Sequence, residues 1–120
     1  MLSSRYRFHG RGSLRYLLKN GRTARNRLLA VRFINNPHRK NSRIAVVVGK
    51  KVSKSAVKRN RIRRRVFEVI RTNWNQLEPG YDVSIAIFSA ELLTMSHKEL
   101  TRNVLGVLKS AKIMRSDPVS

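Results

Sequence analysis

Eight consecutive residues, Lys58–Arg65 (KRNRIRRR), carry six positive charges and no acid. Like charges this close repel, so one helix through them needs counter-charge from outside the chain. The run leads without a break into VFEVIRTNWNQL. At helical spacing Ile62, Val66, Val69, Ile70 and Leu77 fall within about a third of the circumference. Lys58, Arg61, Arg64, Arg65 and Arg71 take the opposite arc, with Glu68 among them. The stretch predicts an amphipathic helix with a core face and a cationic face. Arg59 and Arg63 project on the apolar side. An unpaired guanidinium is too costly to bury, so the first turns are expected to overhang the core and leave both free to reach a ligand. Ser53 and Ser55 are N-cap candidates, beside amides that favour an anion. A merely solvated face would mix signs, and this one does not.

The rest of the chain amplifies the imbalance. Of 120 residues, 27 are Lys or Arg and 6 are Asp or Glu, for a net charge of +21. All the acids (Glu68, Glu78, Asp82, Glu91, Glu99, Asp117) come after residue 67, and residues 1–67 hold 21 of the bases. A polyanion partner is implied, and it meets the N-terminal half. Nucleic acid fits better than an anionic membrane, because no apolar segment nears the length of a span and no lipidation signal is present. The length suits one domain with a real core. Cysteine is absent, which removes disulfides, thiolate catalysis, zinc fingers and zinc knuckles, and fits a reducing, cytoplasmic setting.

Met1–Arg11 mixes arginines with Tyr6, Phe8 and His9 and lacks the apolar core of a secretory signal. Its Arg- and Ser-rich, acid-free composition is like a transit peptide's, but the acid-free stretch runs far beyond such a peptide. We read it as a basic arm that touches RNA. Ser13 opens a short helix, SLRYLLKN, with Leu14, Leu17 and Leu18 on one face and Gly21 placed for a left-handed C-cap. Asn26–Ile34 alternates as a strand, with Leu29, Val31 and Phe33 opposite Leu28, Ala30, Arg32 and Ile34. NNPHRKNS suits a hairpin connection. Arg43–Gly49 is β-branched and apolar on both faces, the pattern of a central strand. Lys50–Lys54 is a basic turn into the long helix. Glu78-Pro79-Gly80 marks a turn, and Asp82–Phe88 a third strand, again apolar on both sides. Ser96 with Glu99 forms a capping box, and Leu100, Val104, Val107 and Leu108 line a last helix. The expected fold is α+β, a two-layer α-β sandwich in the order α-β-β-α-β-α around a small sheet. Its expected division is a basic arm 1–11, one RNA-binding domain 12–112 and a mobile tail 113–120. The strand–helix–strand unit around the basic helix would ordinarily cross right-handed.

Chemistry of the protein's own is hard to find. His9, His38 and His97 have no acid or second histidine at a spacing that would make an acid–base or metal site. The acids are scattered; Glu68 can pair with Arg64 and Arg71 on its own helix. Gly10 and Gly12 match no phosphate-loop fingerprint. No catalytic residue and no metal ligand is assigned.

The stretch VVVGKKVSKSAVKRNRIRRRV closely resembles the signature of the protein component of bacterial ribonuclease P. It comprises a strand, the lysine pair Lys50 and Lys51, a short turn, and a helix opening on Arg59, Asn60 and Arg61, followed by Arg63 and Arg64. The likeness covers about residues 5–110. It implies an α-β sandwich with the basic helix in a left-handed βαβ crossover, against the ordinary handedness. It also implies a large catalytic RNA as partner, which performs the cleavage with Mg2+ while the protein helps bind precursor tRNA. On this reading Lys50, Lys51, Lys54, Lys58, Arg59, Asn60, Arg61, Arg63, Arg64 and Arg65 bind RNA. A cleft between the first helix and the sheet, with Arg7, Leu14, Leu18 and Arg32, takes the single-stranded 5′ leader.

The chain departs from the family pattern in two respects. The cleft positions that commonly hold aromatic rings fall here at Leu14, Leu18 and Arg32, and Tyr16 lies off the leucine stripe. Stacking on aromatics is worth about 1–3 kcal/mol per base, so leucine grips bases less well, while Arg32 can hold a phosphate or stack through its plane. A position usually basic one turn further along the helix is Phe67, with Arg65 nearby. Asn60, uncharged inside a cationic run, is assigned to an RNA backbone or to fixing neighbouring arginines, since a solvated helical Asn is unfavourable. A structural RNA-binding protein would share the composition but not the long signature. A DNA reader would need more varied base-reading side chains than a run of arginines.

Charge of this density predicts that the isolated protein gains structure when an anion binds the native state. Helical circular dichroism and melting temperature are expected to rise across a sulfate titration at fixed ionic strength; a flat response refutes the charge argument.

Overall fold

The computed structural model of the chain describes residues 11–36 and 40–114, with side chains from Arg15 onward. Arg7, His9, His38 and the chain after Met114 lie outside the described residues. The elements are α1 (Arg11–Asn20), β1 (Arg22–Arg25), β2 (Leu29–Asn35), β3 (Arg43–Val48), α2 (Ala56–Thr72), β4 (Tyr81–Ile87) and α3 (His97–Ser110). Short 3-10 turns occupy Trp74–Gln76 and Ala90–Leu93. The expected α+β sandwich is found, with one strand more than the sequence reading allowed.

That extra strand comes from a turn hidden inside an alternating pattern. The Asn26 side-chain oxygen accepts from the amides of Leu28 and Leu29, at 2.8 and 3.0 Å. The Asn26 amide donates to the Leu29 carbonyl. An Asx turn of this kind reverses the chain, so the strand expected over 26–34 starts only at Leu29 and pairs with β1, the four residues ahead of the turn. The sheet order is β1-β2-β4-β3. β2 pairs antiparallel with β4, and β3 pairs parallel with β4. Two expectations fall here. The loop after β2 is not a tight hairpin connection, because β4 lies between β2 and β3. The apolar strand β3 is an edge strand, and Val47 is 45% exposed on its outer face. Valine suits any pleated surface, so its abundance says nothing about which neighbours a strand acquires.

One face of the sheet carries the core. Leu29, Val31 and Phe33 of β2 stand opposite Ile87, Ile85 and Val83 of β4, which neighbour Val48, Val46 and Ile44 of β3. All are buried in one cluster with Ile62, Val66, Phe67, Val69 and Ile70 of α2 and Leu100, Val104, Leu105, Val107 and Leu108 of α3. The stripe on α2 is thus as expected, with Phe67 added to it. The helix itself stops at Thr72 with Asn73 as C-cap, and Leu77 reaches the core from beyond the following 3-10 turn. Ser55 is the α2 N-cap, accepting from the Lys58 amide at 3.2 Å. Ser96 caps α3 through the Glu99 amide at 3.1 Å.

The opposite face is only partly covered, by α1, whose Leu17 is fully buried. Gly21 ends this helix for a reason other than the one expected. Its backbone is not left-handed; a Cβ there would sit 2.6 Å from the Leu17 carbonyl and 3.1 Å from that of Phe33. The glycine lets α1 close onto β2. Gly80, in the bend after Pro79, has φ of 83°, a left-handed conformation that glycine adopts without strain. On the same outer face Asp82 and Arg43 form a buried bidentate pair, 2.8 and 2.9 Å. Asn36 adds a third donor at 3.3 Å. Removing one partner of such a pair typically costs about 3–5 kcal/mol.

The C-terminal boundary also moves. Ile113 and Met114, expected in a mobile tail, are 1% and 3% exposed. After α3 the Lys112 amide donates to the Lys109 carbonyl and the Ile113 amide to that of Leu108. This is a Schellman cap, with Lys112 at φ 63° where glycine is usual. It turns the chain so that Met114 bridges to Leu77 and the Glu78 amide donates to Ile113. At the other boundary Arg11, counted with the arm, begins α1.

One member of the basic run is structural. Arg65 donates to the carbonyls of Leu92 and Met95, both at 2.6 Å, and so ties α2 to the segment before α3. Helical spacing puts it on the cationic arc and the resemblance counts it among the RNA-binding residues, yet its contacts in the structure are to the protein's own backbone. The acceptors, Leu92 in the 3-10 turn and Met95 just after it, come from distant sequence.

Two stability predictions follow from these contacts. Lys112→Gly relieves a left-handed side chain costing about 1–2 kcal/mol and is expected to raise the urea midpoint; an unchanged or lower midpoint refutes the cap assignment. Arg65→Ala removes two charge-assisted bonds worth about 1.5–3 kcal/mol each at most. It is expected to lower stability by more than about 1.5 kcal/mol, whereas surface changes such as Arg61→Ala stay within about 0.5 kcal/mol. Equal midpoints for the two variants would show that Arg65 is not a clamp.

Candidate nucleic-acid interface

α2 carries its cations in its N-terminal half, and burial of Ile62, Val66 and Phe67 fixes the rotation of the helix and so the side they face. Lys50 and Lys51 in the preceding turn, and Lys54, Lys58, Asn60, Arg61 and Arg64, are exposed. Arg61 and Arg64 line a hollow together with Arg65, Glu68 and His97. Arg59 folds back instead of extending outward. It donates to the carbonyls of Ser53 and Lys54, at 2.9 and 3.1 Å, and stiffens the loop before the N-cap. Arg63 donates to the side-chain oxygen of Asn60. The expectation that Arg59 and Arg63 are both free for a ligand is therefore corrected: both are half-buried, and each spends part of its donor set on the protein. Asn60 does fix a neighbouring arginine, one of the two roles anticipated for it.

The single acid on this face is already committed. Glu68 receives both Nε and Nη2 of Arg71, the former at 3.0 Å. These bonds hold the carboxyl below the usual carboxylate range and raise the Arg71 guanidinium. Glu68 thus stays ionised while neutralising Arg71, its one hydrogen-bonded arginine; no bond to Arg64 forms. Likewise Arg27, assisted by Ser89, holds Glu91 below its ordinary range. Phe67, where the resemblance leads one to expect a basic residue, is buried in the core cluster.

A second feature lies on the other side of the sheet. Leu18, Thr23, Arg25, Ala30, Arg32, Ser84, Ala86 and Phe88 line a groove beside the last turn of α1. Register explains the grouping: Arg25, Ala30 and Ala86 form one cross-strand row, and Thr23, Arg32 and Ser84 the next. Arg32 donates to the Leu18 carbonyl, which ties the sheet to the C-terminal end of α1. Of the anticipated cleft residues the structure brings Leu18 and Arg32 together. The Leu14 side chain and Arg7 lie outside what is described, and Tyr16 is exposed, off the buried side of α1. Phe88 and Arg25 were missed. Phe88 sits just past β4 with its ring half exposed. Nothing in a strand apolar on both sides announces which side stays open. The alternation that placed Arg32 would have placed Arg25 beside it, had the Asn26 turn been recognised.

Among the described residues no three His, Cys, Asp or Glu side chains gather in a way that could hold a metal ion. His97 lies at the start of α3. Among the same residues no helix is long and apolar enough to cross a membrane.

Comparison with known proteins agrees with this geometry. The family model described as Ribonuclease P matches residues 2–112. A ribonuclease P protein component of Synechococcus sp. is 44% identical over 78 residues, 65% of this chain and 58% of that protein. One from Pseudanabaena sp. is 26% identical over 117 residues, covering 98% of this chain and 100% of the relative. The RNase P protein of Thermotoga maritima superposes with a TM-score of 0.79 at 26% identity, covering 87% of this chain and 96% of its own. That of Staphylococcus aureus shares the fold with a TM-score of 0.81 at 24% identity, over 92% of this chain and 98% of the other. A family match spanning nearly the whole chain, on a fold that presents a cationic helix and a basic groove, places this chain in the ribonuclease P protein family.

Proposed function

We propose that this chain serves ribonuclease P, the endonuclease that removes the 5′ leader of precursor tRNA, through two surfaces. The exposed part of α2 and the turn before it, chiefly Lys50, Lys51, Lys54, Lys58, Asn60, Arg61 and Arg64, holds the catalytic RNA by its phosphates. The groove of Leu18, Arg25 and Arg32 holds the single-stranded leader. The chemistry belongs to the RNA and to Mg2+ bound by it; the protein contributes binding and position. The observation that carries this reading is the separation of the two surfaces by the sheet, α2 packing on one face and the groove opening on the other. One chain can then touch subunit and substrate at once.

Physical differences between the surfaces support the division. Arg61 and Arg64 stand outward on a rigid helix, as point contacts to a phosphate backbone require. Arg32 spends one donor on Leu18, and a guanidinium has five in a planar fork. The rest face a groove with a floor of Ala30, Ala86 and Ser84, where an unpaired strand can lie close to the sheet.

Multiple-turnover cleavage of a precursor tRNA by a bacterial ribonuclease P RNA at low Mg2+, with and without the chain, tests the activity. Arg61→Ala is expected to weaken RNA-subunit binding and lower its salt slope by about one, with little sensitivity to leader length. Arg32→Ala is expected to assemble nearly normally but to bind precursors with leaders of several nucleotides less well, and one-nucleotide leaders as before. If both variants fail in the same assay to the same degree, the two-surface reading is wrong.

A further inference from the structure

Among the described residues the groove holds one aromatic ring, and the proposed function does not yet use it. Phe88 lies directly after β4, and its amide donates to the Leu28 carbonyl at 2.8 Å, so the strand ladder holds its backbone in place. Its ring is 50% exposed and lines the groove with Leu18, Ala30 and Ala86. Phe33, Phe67, Trp74 and Tyr81 belong to the core or pack against it. Tyr16 is exposed on α1 but does not line the groove. The remaining apolar lining is small or aliphatic, and the charged lining is Arg25 and Arg32 with no acid among them.

We propose that Phe88 is the base-stacking platform of the leader groove, supplying from β4 the aromatic surface that Leu18 does not supply from α1. The inference rests on reading the groove as the leader site. A half-exposed phenyl beside small side chains offers an open π-face, and every base presents a complementary one. Two guanidinium groups in the same groove supply charge for the backbone that carries the base. An apolar protein segment would instead have to desolvate both cations, so single-stranded RNA is the occupant the lining favours. Because the Phe88 backbone is held by the ladder, little ordering is needed when a base arrives.

Register also sets the position. Arg32 pairs across the sheet with Ser84, four residues before Phe88. At about 3.4 Å per residue the two positions stand roughly 14 Å apart along the β4 direction, so they serve different nucleotides of one leader.

The test uses the assembled holoenzyme with precursors carrying an eight-nucleotide leader, a one-nucleotide leader, or an eight-nucleotide leader with one abasic position moved along it. Phe88→Leu, which keeps apolar bulk but removes the π-face, is expected to weaken binding of the long-leader precursor about five-fold or more. Phe88→Trp is expected to bind it as well as the wild type or better. The one-nucleotide leader should be bound equally by all three. One abasic position should cost the wild type about as much as Phe88→Leu does and cost that variant nothing more. Wild-type affinity of Phe88→Leu for the long leader overturns the proposal alone, as does a loss equal for both leader lengths, which would place Phe88 in folding or assembly. If the wild-type holoenzyme does not distinguish the two leader lengths, the groove is not the leader site, and the parent reading falls with it.

Discussion

Like-charge repulsion along α2 is the constraint to which the rest of the structure answers. Six bases occupy the eight positions from Lys58 to Arg65. The helix forms there because Ile62, Val66, Phe67, Val69 and Ile70 bury its other side. At about 1.5–3 kcal/mol for each large apolar side chain, that burial is on the order of 10 kcal/mol before conformational entropy is subtracted. It orients the cations as well as tolerating them, since a helix held on one side has only one side left for charge. On the proposed reading, counter-charge from RNA lowers the energy of an arrangement that the core has already imposed.

The arginines divide according to what is within reach. Arg59 and Arg65 each find two backbone carbonyls, and Arg43 finds a buried carboxylate. These side chains hold the loop before α2, the segment before α3 and the outer sheet face in place. Arg61 and Arg64 have no such acceptor nearby and remain outward, where a phosphate can take the place of one. A basic run is thus partly scaffold and partly binding surface, and replacing all its members together would confuse the two. The same split occurs within one side chain in the groove, where Arg32 ties α1 to β2 and keeps further donors for a ligand.

Several features were legible in the chain alone because they depend on neighbours a few residues away. The stripe of α2, the cap at Ser55, the turn at Pro79-Gly80 and the cap at Ser96 each follow from helical spacing or local hydrogen bonding. The long motif around Arg59, Asn60 and Arg61 identified the family. Arg32 was placed opposite Leu29, Val31 and Phe33 by alternation, and register confirms it.

What escaped depends on partners far away in sequence. The β2 and β3 strands look interchangeable as apolar segments, and only the insertion of β4 between them makes β3 an edge. Arg65 is a clamp because Leu92 and Met95 come to it, and Ile113 is buried because the cap at Lys112 turns it toward Leu77. Phe88 is open because α1 covers only part of the outer face. Local spacing tells which way a side chain points along its own element. What it meets there is set by the packing of distant segments, and so the sequence determined the family, the cationic helix and the need for an anionic partner, while tertiary structure alone decided which arginines remain outward and which ring faces the groove.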